Sequence, residues 1–174
     1  MNNENLTKAQ ALHRSGRLAE AENAYGALLA ESDNPDARHG LALLLNQTGR
    51  SAEAIPILEQ LLAIDSDSVS SRLVLARCLA ATGDLQAAIE QCNIACEMLP
   101  DNPAAWSLAG QLKQQACDPR AALDSLERAL GIDPTHGPAL HNQGIALATL
   151  GQHDAALLAY EGALKVMPLA ARVY

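Results

Sequence analysis

Apolar residues recur along this chain at intervals of three and four, in short runs that stop at glycine or proline. In residues 73–83, LVLARCLAATG, the side chains of Leu75, Cys78 and Leu79 share one helical face before Gly83 ends the run. Asp84 follows as an N-cap, and residues 85–99, LQAAIEQCNIACEML, form a second helix stopped by Pro100. The pattern predicts a helix, a tight turn and another helix. Residues 151–168, GQHDAALLAYEGALKVMP, repeat the punctuation of residues 83–100, GDLQAAIEQCNIACEMLP, with different letters between. Both open on Gly, carry Ala-Ala at the fifth and sixth places and Ala at the thirteenth, and close on Pro.

The period is 34 residues: Gly49, Gly83 and Gly151 fall at intervals of 34 and 68, and Cys117 fills the slot between the last two. Gly16 precedes Gly49 by 33. Five residues after each landmark comes an alanine: Ala21, Ala54, Ala88, Ala122 and Ala156. Seven before each sits a small residue: Ala9, Ala42, Ala76, Gly110 and Gly144. Pro100, Pro134 and Pro168 close the last three units. Five units follow, at 2–34, 35–68, 69–102, 103–136 and 137–170, leaving 171–174 as the start of a sixth helix or a truncated end. Asn34-Pro35, Asn102-Pro103 and Asp118-Pro119 each place a capping side chain before a proline at the first helical position. Pro56 lies deep enough in its helix to predict a kink or a later helix start. Small residues allow paired helices to approach closely, so Ala42 against Ala54 and Gly144 against Ala156 are expected contacts.

These features resemble the tetratricopeptide repeat family, with its 34-residue period and its Trp-x-x-Leu-Gly-x-x-Tyr, Ala-x-x-x-Phe and Pro signature. Trp106 and Gly110 match in the fourth unit, and Gly144, Ala156, Tyr160 and Pro168 in the fifth. Tyr25 takes the Phe slot of the first unit, with Leu58, Cys92 and Leu126 in the same slot later. Arg38 and Arg72 depart from the pattern at the Trp slot, and Ser66 departs at the closing Pro of the second unit. The resemblance implies an all-α, right-handed superhelical solenoid of about five helix–turn–helix units, in one domain.

Composition agrees with helices. Apolar residues make up 49% of the chain but aromatics only 2%, and Phe is absent, so the core is built from Ala and Leu. A net charge of −8 argues against nucleic-acid or anionic-membrane partners. No apolar run reaches membrane-spanning length and no signal peptide is visible, and four cysteines in 174 residues predict a reducing, cytoplasmic setting rather than a disulfide scaffold.

The two ends differ. The first helix, around Glu4–Ser15, is polar outside Leu6, Ala9, Ala11 and Leu12, as a capping element should be. The last, Asp154–Met167, is apolar nearly all round, with Leu157, Leu158, Tyr160, Leu164, Val166 and Met167. Such a helix expects a neighbour: either a continuing chain, with Tyr174 on the Trp slot of a sixth unit, or another copy in a homo-oligomer.

Catalytic groupings are not evident: the five histidines are scattered, no phosphate-cradling glycine loop appears, and no Ser-His-acid set stands out. Cys92 and Cys96 are spaced to share a helix face but fill apolar slots, so no metal or other cofactor is expected. Charge is more informative. The first helices hold six bases (Lys8, Arg14, Arg38, Arg72, Arg77, Lys113) and two acids (Glu4, Asp36), so they carry +4 and the remainder −12. The resemblance implies that first helices line a concave, peptide-binding groove. In that register the groove shows His13, Arg14, His39, Leu43, Asn46, Gln47, Leu73, Arg77, Gln111, Gln114, Gln115, His141 and Ile145. Amide and guanidinium donors suit a peptide backbone or carboxylate. The expected function is therefore non-catalytic binding of a neutral-to-acidic protein segment, with Arg14, Arg77, Asn46, Gln111 and Gln114 as first mutational targets. The alternatives are a docking region of a larger glycosyl-, sulfo- or methyltransferase-type enzyme, and a self-assembling scaffold. Neither a carboxylate clamp nor an asparagine ladder is present; the ladder slot holds Thr7, Gly40, Val74, Leu108 and Asn142.

Overall fold

The computed structural model describes residues 2–167, and Pro168 and Tyr174, with the start of a sixth helix, lie outside them. The described residues form ten helices and no strand: α1 (Asn2–Arg14), α2 (Leu18–Glu31), α3 (Pro35–Gln47), α4 (Ser51–Ile64), α5 (Val69–Ala81), α6 (Leu85–Met98), α7 (Pro103–Gln115), α8 (Pro119–Ile132), α9 (Gly137–Thr149) and α10 (His153–Val166). None is long and apolar enough to cross a membrane.

The turns follow from local chemistry. After each first helix the landmark residue turns left-handed, with φ 79° at Gly49 and 94° at Gly83. The amide that follows reaches back to a carbonyl five residues earlier, as Arg50 N does to Leu45 O at 2.8 Å and Asp84 N to Leu79 O at 2.9 Å. This is the glycine-terminated C-cap that satisfies the last carbonyls of a helix. Cys117 adopts the same conformation at φ 62°, and Asp118 N bonds Lys113 O at 2.9 Å. The turn thus survives loss of its glycine, at the expense of a crowded Cβ. First-helix starts are capped as expected: Asn34 Oδ1 accepts from Ala37 N at 2.9 Å, and Asn102 Oδ1 accepts from Ala104 N at 3.0 Å. His136 caps α9 in the same way, its Nδ1 accepting from Ala139 N at 3.2 Å. Pro56 causes no later start, because α4 already begins at Ser51. Both Pro56 and Ala52 are exposed, so water can take the place of the missing amide.

The chain divides into two compact units, Met1–Asp84 and Leu85–Tyr174. In the first, α1 pairs with α2 and α3 with α4, and α5 packs on both α3 and α4. Its core has two adjoining clusters, one around Leu6, Ala9, Ala21, Tyr25 and Leu28, the other around Ala42, Ala54, Leu58, Leu75 and Cys78. In the second unit α7 pairs with α8 and α9 with α10, while α6 lies against α7. Ala122, Leu126, Ala129, Ala139 and Ala146 form its buried cluster, flanked by Trp106.

At the small positions Ala42, Ala54, Ala76, Ala88 and Ala122 are fully buried, Ala156 is nearly so, and Gly110 and Gly144 are buried. A Cβ on Gly144 would first meet the ring of Tyr160, at 2.5 Å, one turn beyond Ala156 on α10. Gly110 likewise faces Leu126, at 2.5 Å. The Trp slot acts as a hydrogen-bond donor to the preceding turn. Trp106 Nε1 donates to Pro100 O at 2.8 Å, and Arg72 Nη2 donates to Ser66 O at 2.6 Å, each six residues back. The guanidinium supplies the donor that the indole supplies elsewhere. Arg38 instead pairs with Asp33 at 2.9 Å.

Candidate functional site: the first-helix surfaces

Within the first unit α1, α3 and α5 touch in succession, and in the second α7 touches α9, whereas second helices of the same unit make no comparably close pair. First helices therefore crowd together and form the inner layer of each unit. The predicted binding residues lie on these helices.

On the first unit a cleft of about 440 Å³ is lined by Gln10, His13, Arg14, Tyr25, Leu43 and Gln47. His13 Nε2 and Gln47 Oε1 are 2.9 Å apart and join α1 to α3. The His13 ring meets the Tyr25 ring edge-on, with centroids 6.1 Å apart. Tyr25 is 1% exposed, and burial raises its phenol above the ordinary value, partly offset by Arg14. The cleft thus has an apolar floor ringed by amide, imidazole and guanidinium groups, and no carboxylate lines it.

Other predicted residues of this unit are placed differently. His39 is half-buried with Nδ1 3.1 Å from Ser71 Oγ, in a smaller cleft that also contains Asp36 and Ser68. Burial lowers its basicity, against the pull of Asp36. Asn46 turns into its own hairpin, where Oδ1 accepts from Ser51 Oγ at 2.9 Å. Leu73 is half-buried, and Arg77 is exposed on α5.

In the second unit Gln111 and Gln115 are exposed on α7 and Gln114 is half-buried, while Lys113 Nζ donates to Ser125 Oγ on α8 at 2.9 Å. His141 is exposed on α9, its ring centroid 5.9 Å from that of Tyr160, and Ile145 is half-buried nearby. Cys92 and Cys96 are buried, with Cys92 Sγ 3.5 Å from Ala105 O. A hydrogen bond with Cys92 lowers the Cys96 thiol against the effect of burial, and burial pushes Cys78 up to about 11. Among the described residues no three His, Cys, Asp or Glu side chains are grouped to hold a metal.

The sequence reading missed Gly40, which makes room for Tyr25: a Cβ there would lie 2.6 Å from the ring. A signal existed, since Tyr25 occupies a slot that holds Leu or Cys in the next three units and so demands space nearby.

The chain matches no curated protein by sequence. Solved structures are similar throughout its length. The crystal structure of TTC0263, a thermophilic TPR protein in Thermus thermophilus, superposes with a TM-score of 0.85 at 21% identity, covering 99% of this chain and 94% of that one. A crystal structure of MamA superposes with a TM-score of 0.76 at 21% identity, covering 94% and 96%. At these identities the likeness establishes the fold alone, an all-α solenoid of helical hairpins. Two family models described as tetratricopeptide repeat match, one over residues 45–112 and the other over 6–69 and 107–172. The chain belongs to the tetratricopeptide repeat family.

Proposed function

We propose that this chain is a non-catalytic binding module of five repeats, at 2–34, 35–68, 69–102, 103–136 and 137–170, whose first-helix surfaces hold a neutral-to-acidic segment of another protein. The observation that carries the reading is the cleft of the first unit, where donors surround an apolar floor and carboxylates are absent, on a chain of net charge −8. Free cysteines suit a reducing cytoplasm. Peptides selected from a display library against the full chain should protect amides of α1, α3, α5, α7 or α9 in hydrogen exchange. Protection confined to second helices or loops overturns the reading.

A second reading has its own support. Leu157, Leu158 and Leu164 on α10 are 59%, 70% and 52% exposed. Leu123 and Leu130, which stand 34 residues earlier on α8, are partly buried against the core that α8 shares with α9. We infer that the α10 face pairs with a second copy of the chain. Light scattering across a concentration series should show a dimer that Leu158→Glu dissolves, and a strict monomer at every concentration excludes it.

A further inference from the structure

We infer that the inner face of the first unit reads a three-part element in an extended segment of another protein: one apolar side chain seated over Leu43 and Tyr25, with a carboxylate on each side, one held by Arg14 and one by Arg77. The inference rests on the groove reading above and names the chemistry of its ligand. Among the described residues, Leu43 is the single large apolar side chain counted as exposed, at 38%, on a first helix. The others exposed to that degree lie on second helices or just after one. An apolar side chain on an otherwise polar inner face marks a contact point.

Its neighbours supply charge. Arg77 stands 34 residues after Leu43, at the same register on α5, and Arg14 lines the Leu43 cleft from α1. Arg17, Arg38 and Arg50 each pair with a carboxylate of the chain, whereas Arg14 and Arg77 form no ion pair among the described residues. Two uncommitted guanidinium groups therefore flank one apolar seat. The seat is built in advance: Tyr25 is wedged against Gly40, and the His13–Gln47 bond ties α1 to α3. A preformed seat reduces the ordering that binding must impose.

Spacing defines the element further. Packed helix axes lie about 8–10 Å apart, so α1 and α5, with α3 between them, are separated by roughly 16–20 Å. A segment in the extended polyproline II conformation advances about 3.1 Å per residue and returns to the same face every three residues, which places the carboxylates about six residues apart with the apolar residue midway on the same side. The fitting pattern is acid-x-x-apolar-x-x-acid.

The probe is a labelled synthetic peptide of about 12 residues with Glu, Leu and Glu at every third place, titrated into the full chain by fluorescence anisotropy. Companion peptides carry Gln for both Glu, or Ser for Leu. Arg14→Gln and Arg77→Gln should each weaken the parent peptide by about tenfold, as expected for loss of a hydrogen bond to a charged group. Both variants should bind the Gln peptide as the wild type does. Leu43→Ser should weaken the parent peptide but not the Ser peptide. Circular dichroism checks folding, which these exposed positions should leave intact. Absence of binding, equal binding of the Gln peptide, or indifference to both arginine substitutions overturns the proposal. Library peptides that protect the first helices without this pattern leave the groove reading standing and remove this one. Protection nowhere on the first helices removes both.

Discussion

The Tyr25 ring on α2 fills the space where a side chain on Gly40 of α3 would stand, with Tyr25 Cε1 and Cζ only 2.6 Å from a Cβ built there. Tyr25 is 1% exposed and belongs to the buried cluster with Ala9, Ala21 and Leu28, so displacing the ring disturbs that packing. Gly40→Ala should therefore destabilise the chain by about 1–3 kcal/mol through overpacking. Gly26 on α2 has nothing within 4 Å of its Cβ position, so Gly26→Ala should stabilise by about 0.5–1 kcal/mol through helix propensity. Urea denaturation of the two variants should give shifts of opposite sign. Equal shifts would show that the close approach carries no energetic weight.

Cys117 offers the complementary test. It holds φ 62° in a turn where the other four units have glycine. Cys117→Gly should stabilise by about 0.5–1 kcal/mol, the relief of the left-handed backbone being partly offset by a more flexible unfolded chain. Thermal denaturation measures this, and a drop in midpoint would contradict it.

His39 makes stability depend on pH. Burial holds its folded basicity below the ordinary value of 6.5. Below that value the unfolded chain takes up a proton that the folded chain resists, so the contribution is intact above it and is lost as pH falls through it. Between about pH 7.5 and 5.5, wild-type stability should fall more steeply than that of His39→Gln. Parallel slopes in denaturant titrations would assign the effect to other groups.

Trp106 joins the end of one repeat to the next through its bond to Pro100 O at 2.8 Å, and Arg128 lies 4.9 Å from its ring centroid. Trp106→Phe keeps a ring for the cation but loses the donor, so the loss should be about 0.5–1.5 kcal/mol. Trp106→Leu removes both and should lose more. Equal losses from the two variants would show that the arginine contact adds nothing.

Much of this architecture was legible in the sequence because it depends on local chemistry. A glycine, or Cys117 in its place, marks each left-handed turn, and Asn or Asp before proline marks several helix starts. These are properties of a few consecutive residues. Binding positions were less legible. The same register that places Arg14 and Gln47 in one cleft also named Asn46 and His39, yet Asn46 bonds Ser51 and His39 faces Ser71. A polar side chain on a helix face can turn toward solvent, its own hairpin or the next helix, and spacing alone does not choose among them.

By itself, then, the sequence determined the helix ends, the period and the positions where helices must touch, since backbone conformation and side-chain volume suffice for those. Only the tertiary structure decided that Tyr25 would rest on Gly40 of the following hairpin, that Arg72 would supply the donor Trp106 supplies elsewhere, and that Leu43 would stand exposed among donors. Each of those outcomes depends on which groups arrive from the neighbouring hairpin, or from the preceding turn, and on the space they leave.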